Sequence, residues 1–205
     1  MIDSALDSGR PADFCLHGEC HTMSASPPVV PTITLSGGGK CPVIGYGLYQ
    51  IPADESEAAT LQAISLGYRH LDSASFYANE PGVGLAIAAC GVPREDLFVA
   101  SKMWTDCIGA GAAAVKASIL KSIESLQCGY LDLAYVHWPV SGKHVQAYEA
   151  LEELHAEGKV KAIGLSNYRV EDYEELMAAP LPGGHAALNI SARVQPVVNQ
   201  VLICL

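Results

Sequence analysis

Apolar residues in this chain gather into short runs that return at fairly regular intervals from Val43 onward. Strand-like runs are VIGYGLYQ (43–50), YRHLD (68–72), LFVAS (97–101), LDLAYVH (131–137), KAIGLS (161–166) and PVVNQ (196–200). Between them the apolar period changes to a helical one. In AAAVKASILKSIESL, for example, Val115, Ile119, Ile123 and Leu126 fall on one face. Gly67, Gly91, Gly129 and Gly158 each stand shortly before a strand, where a helix C-terminus needs a positive φ. Asp54 is placed to cap the first helix.

Alternating β and α units predict a parallel sheet, either open and doubly wound or closed into a barrel. A dinucleotide-binding doubly wound sheet calls for G-x-G-x-x-G after its first strand. Here the run is Gly45-Tyr46-Gly47-Leu48-Tyr49-Gln50, without the third glycine. Polar residues also stand at the C-terminal end of almost every strand: Asp72, Lys102, His137, Ser166 with Asn167, and Gln200. In a (β/α)₈ barrel all strand ends share one mouth, so the α/β barrel is the better fit. Only six strands are visible in the sequence, two short of closure.

The chain of 205 residues is 50% hydrophobic and 17% charged, the balance of a folded domain. Its formal charge of −10 is spread along the sequence, which argues against nucleic acid or anionic membrane as a partner. No apolar run reaches the roughly 18–20 residues of a membrane span. Residues 1–30 read as a disordered tail rather than a targeting segment, because they lack an apolar core and carry Asp3, Asp7, Asp13 and Glu19. Residues 31–205 read as one domain. Seven scattered cysteines suit a reducing cytoplasm. Cys15, His17, Cys20 and His21 cluster in the tail but match no standard zinc spacing, and no metal is expected.

Asp72 and Tyr77 lie five residues apart in GYRHLDSASFYANEPGVG (67–84), beyond the second strand. Lys102 follows the third strand and His137 ends the fourth. Singly, each has a plainer reading: a helix cap, a core tyrosine, a rim charge, a core histidine. At strand ends of one barrel they converge. An ammonium beside a phenol lowers its pKa from about 10, and a carboxylate keeps that ammonium charged. Such a set can protonate a carbonyl oxygen, and it needs a hydride-donating cofactor.

These residues bring the chain to a family. GYRHLDSASFYANEPGVG, LDLAYVHWP and ALEELHAEGKVKAIGLSNY, in this order, resemble the aldo-keto reductases, barrel oxidoreductases that reduce aldehydes and ketones with NADPH. The resemblance implies Tyr77 as proton donor, Lys102 as the group lowering its pKa, Asp72 as partner of Lys102, and His137 as the group orienting the carbonyl. It implies that Ser166, Asn167 and Gln200 hold the nicotinamide carboxamide, with Gly47 and Asp72 beside the cofactor. PTITLSGGGKCPVIG (31–45) corresponds to the hairpin that plugs the barrel floor. Tyr49, Phe76, Trp104 and Trp138, with His137, are candidate walls for a small carbonyl substrate.

A full barrel takes about 250 residues. The family's last two strands, its nicotinamide-stacking aromatic and its 2′-phosphate loop have no counterpart in the sequence. The expectation is a C-terminally truncated member, such as a fragment or splice variant, and the alternative to an active reductase is a catalytically inactive partial barrel. Unpaired edges leave self-association open.

Overall fold

The computed structural model describes residues 30–181 and 192–201. The tail with its Cys15, His17, Cys20 and His21 cluster lies outside these residues. So do residues 182–191, within the Pro/Gly-rich stretch AAPLPGGHAALNISARV (178–194). Among the described residues no group of His, Cys, Asp and Glu could hold a metal ion, and no helix is long and apolar enough to cross a membrane.

The chain begins with an antiparallel hairpin, β1 (Thr32–Thr34) and β2 (Lys40–Pro42), in which Thr32 faces Pro42. Then come β3 (Tyr46–Gly47), α1 (Ser56–Ser65), β4 (His70–Asp72), α2 (Glu80–Ala89) and β5 (Phe98–Met103). They are followed by α3 (Thr105–Ala110), α4 (Ala112–Ser125), β6 (Leu133–Val136), α5 (His144–Ala156), β7 (Ile163–Ser166), α6 (Val170–Ala178) and β8 (Asn199–Gln200). Strands β3 to β8 form one six-stranded sheet in sequence order, every pair parallel. This is the sheet of a (β/α)₈ barrel with six of its strands in place.

The sheet curls. A hydrogen bond of 3.2 Å joins Gln200 on β8 to Asp72 on β4. In a flat sheet four strand spacings would set those strands about 19 Å apart. Alternation then gives the sheet two different faces. Leu71, Val99, Met103, Ala134, Val136, Ile163 and Leu165 point outward into a core shared with the helices. Val115, Ile119, Ile123 and Leu126 of α4 are buried in that core, as their spacing requires. Phe98, Ala100, Leu133, Tyr135 and Ala162 gather with Leu35 and Cys41 of the hairpin, so the hairpin does cover the barrel floor. Gly164 makes room in the interior, since a Cβ there would lie 2.8 Å from the Tyr135 ring and 3.0 Å from Val198.

Local details depart from the sequence reading. The run 43–50 is a strand only at Tyr46–Gly47, because the chain turns at Leu48–Ile51, with Gln50 at φ 62° and a bond from Ile51 N to Leu48 O. Asp54 does not cap α1. Glu55 holds that position without a side-chain bond, and the Ser56 hydroxyl closes the turn onto Ala53 O at 2.8 Å. The four expected glycines all have positive φ, but after α4 Gln127, at φ 50°, turns the chain two residues before Gly129.

Candidate active site

Lys102 extends the inward row of β5 beyond Phe98 and Ala100, and only 1% of its surface is exposed. Its Nζ donates to Asp72 Oδ1 at 2.5 Å and to the Ser73 carbonyl at 2.9 Å, with Tyr77 Oη at 3.5 Å. The other oxygen of Asp72 accepts the bond from Gln200 Nε2. The carboxylate therefore bridges the ammonium on β5 and the amide on β8. Tyr77 ends a 3₁₀ turn, Ser75–Tyr77, whose Ser75 hydroxyl donates to Lys102 O at 3.1 Å. The turn carrying the phenol is thereby tied to the strand carrying the lysine.

His137 sits at the end of β6, with its ring edge-on to Tyr77 at 5.9 Å and to Trp104 at 4.9 Å. Its Nδ1 is buried, with no hydrogen-bond partner among the described residues. Asn167 adopts φ 59°, a left-handed conformation that asparagine tolerates better than most residues. Its Nδ2 donates to His137 O at 3.1 Å and to Ser166 Oγ at 3.0 Å. Around these groups lies a cavity of about 370 Å³. Its aromatic wall is Tyr49, Phe76, Tyr77, Trp104 and Trp138. Phe76 stacks on Trp104 at 3.9 Å, and Tyr49 lies 5.2 Å from Tyr77. Asp72, His137, Ser166, Asn167 and Gln200 supply its polar atoms. Gly47 pairs with Asp72 across β3 and β4 but is not part of the lining.

Electrostatics changes one expectation. Burial, the Asp72 carboxylate and Tyr49 hold the Tyr77 phenol well above its ordinary range, the reverse of the lowering expected from Lys102. The first cause is burial, which disfavours the phenolate, and the Asp72 charge, paired with Lys102, adds to it in the same direction. Burial lowers the pKa of Lys102 itself, against the opposing pull of Asp72. Burial, helped by the Lys102 charge, pushes the His137 imidazole down to about 4, so it is neutral near pH 7.

Two supporting residues were not singled out from the sequence. Asn79 is buried; its Nδ2 donates to Leu48 O at 2.8 Å and Ile51 O at 2.9 Å, and Ser73 Oγ donates to its Oδ1 at 3.4 Å. It locks the loop bearing Tyr49 to the loop bearing Tyr77. Ser73 supplies the carbonyl that fixes Lys102. The signal for Asn79 was its place inside GYRHLDSASFYANEPGVG; a backbone acceptor such as Ser73 O leaves none.

Residues 43–205 match the model of the "Aldo/keto reductase family". A glyoxal reductase of Bacillus subtilis is 39% identical over 171 residues, covering 83% of this chain and 57% of that protein. A 9,11-endoperoxide prostaglandin H2 reductase of Trypanosoma cruzi is 37% identical over 170 residues, covering 82% of this chain and 55% of its own length. The chain thus spans little more than half of such curated relatives. Among solved structures, an aldo/keto reductase from Brucella melitensis superposes with a TM-score of 0.75 at 36% identity, covering 85% of this chain and 63% of that one. A Bombyx mori aldo-keto reductase in complex with NADP gives 0.72 at 27% identity, covering 85% and 58%.

Proposed function

Because this chain belongs to the aldo/keto reductase family, we propose that it reduces aldehydes or ketones to alcohols, with NADPH as hydride source and Tyr77 as proton donor. The observation that carries this reading is the contact of Lys102 with both Asp72 and Tyr77 at one end of an aromatic-walled cavity. The donor set fits the cofactor: a hydroxyl on Ser166 and amides on Asn167 and Gln200 face the cavity, the groups a carboxamide pairs with. NADPH, when bound, supplies the hydride.

The chain's own residues do the rest. Tyr77 carries its proton at neutral pH, as a phenol of ordinary pKa ~10 already does, so the proton is present when a carbonyl oxygen arrives. Lys102 steadies the phenolate left after transfer, and Asp72 keeps Lys102 in place. His137, being neutral, aligns a carbonyl by hydrogen bonding and adds no second cation beside Lys102. Tyr49, Phe76, Trp104 and Trp138 supply the apolar surface against which a carbonyl substrate would pack.

The test is to mix purified protein with NADPH and a panel of aldehydes that includes glyoxal, the substrate named for the Bacillus relative, and to follow nicotinamide absorbance. Turnover is expected, and Tyr77→Phe should lower it by on the order of 10²–10⁴. No turnover from a folded sample at saturating NADPH would remove the reading. A second reading, a partial barrel that binds without catalysis, is favoured by β3 and β8, each paired on one side only. NADPH binding without turnover would select it.

A further inference from the structure

Asn79 stands at the N-cap of α2, where an asparagine side chain ordinarily accepts a hydrogen bond from the first turn of its own helix. Here it makes no such bond. Asn79 is 1% exposed, and its carboxamide serves a different loop. Its Nδ2 donates to Leu48 O at 2.8 Å and to Ile51 O at 2.9 Å. Those two carbonyls bracket the turn that carries Tyr49 and Gln50, which also closes on itself from Ile51 N to Leu48 O at 3.3 Å. The acceptors of Asn79 are occupied as well. Ser73 Oγ donates to its Oδ1 at 3.4 Å, and Ser56 Oγ donates to its main-chain carbonyl at 3.2 Å.

What this turn presents is the Tyr49 ring, which lines the cavity and lies 5.2 Å from the Tyr77 ring. Tyr49 is 55% exposed, so packing does little to fix it and the backbone beneath it must. Gln50, next in the chain, is at φ 62°, a conformation that a residue other than glycine keeps only where its surroundings impose it. The two Asn79 bonds, one on each side of Tyr49 and Gln50, impose it.

We propose that Asn79 is a positioning residue with a say in specificity: by clamping both ends of the turn it holds the Tyr49 ring against Tyr77, where it favours carbonyl compounds that carry a flat apolar group, such as aromatic aldehydes. A ring beside the carbonyl gains an aromatic partner in Tyr49; glyoxal has no ring and gains none. Asparagine suits the task because one planar nitrogen offers two N–H donors to two buried carbonyls. Alanine offers no donor and leaves both carbonyls short of a partner. The substrate preference rests on the reductase reading of the cavity; the fixing of Tyr49 does not.

NMR reads the fixing without any turnover. In the wild-type chain a nuclear Overhauser effect between the Tyr49 and Tyr77 rings is expected, together with slow solvent exchange of the Asn79 side-chain amide protons. Exchange as fast as that of an exposed asparagine, or no effect between the rings, overturns the proposal even if no variant folds. In folded Asn79→Ala the effect between the rings should vanish, and its persistence overturns the proposal. In the NADPH assay Asn79→Ala should lower kcat/KM for benzaldehyde by roughly threefold to tenfold, mainly through KM, and lower that for glyoxal much less. An equal loss on both would place the effect at Lys102, whose acceptor Ser73 also touches Asn79, and overturn the proposal. In a Tyr49→Ala background, Asn79→Ala should cost benzaldehyde turnover nothing further, whereas additive losses overturn action through Tyr49. Wild-type turnover of glyoxal without turnover of benzaldehyde overturns it too. A wild-type chain that turns over neither aldehyde removes the reductase reading and leaves the ring contact as the test of the clamp.

Discussion

Two layers of the barrel interior, about two to four residues apart along the same strands, differ in character. The lower layer is Phe98 on β5 and Leu133 on β6, with His70 on β4 edge-on to Phe98 at 4.7 Å. Leu35 and Cys41 of the hairpin close it from below. Toward the C-terminal ends of those strands stand Asp72 and His137, which line the cavity, and Lys102, which is paired with Asp72. Strand alternation assigns both layers to the inside and cannot say which is core. The cover decides: against the hairpin the interior carries carbon, and against open space it carries charge. The upper layer therefore has to compensate its buried ions pairwise, and the lower layer has no such need.

The sharpest way to break this contrast is Lys102→Met. It should cut NADPH-dependent turnover by on the order of 10²–10⁴. It should also destabilise the fold by about 1–3 kcal/mol, because the partly buried Asp72 loses its counter-ion and keeps only the Gln200 amide. Adding Asp72→Asn should return most of the urea stability and none of the turnover, separating the cost of the ions from their use. Phe98→Ala probes the other layer. A loss of about 3–5 kcal/mol is expected, with NADPH affinity per folded molecule unchanged. A change in affinity would show that the layers are not independent.

A smaller effect concerns pH. The His137 imidazole is held down to about 4 and that of His70 is lowered, in both cases chiefly by burial. The unfolded chain binds these protons near pH 6.5, so the folded state has their stabilisation in full above that value and loses it as pH falls toward about 4. The urea midpoint should drop over that window. His137→Gln should flatten part of the drop, and an unchanged slope would mean that His137 titrates normally.

Much of this was legible in the sequence. Strand ends bearing Asp72, Lys102, His137, Ser166 and Gln200 could be read because a parallel barrel sends them all to one mouth. The burial of α4 could be read from the spacing of Val115, Ile119, Ile123 and Leu126. The direction of the Tyr77 shift could not, since it is set first by the burial of the phenol and then by the Asp72 charge, and neither the depth of burial nor the approach of that charge is written in the spacing. Gln127 as the turning residue after α4 was hidden because glycine two positions later offered the stronger signal. The shortness of β3 and β8 was hidden too, because apolar runs mark burial and not ladder length.

The bond between Gln200 and Asp72 also bears on time. It joins residues 128 apart in sequence, whereas Lys102 and Asp72 are separated by 30. Closing the longer loop costs more chain entropy and contributes to slow, non-local folding. During synthesis the ammonium–carboxylate pair can form from a single β-α-β segment, while the amide partner at Gln200 is made well after Lys102. The half of the site proposed to handle the proton is thus expected to form early in folding, and the half proposed to hold a carboxamide late.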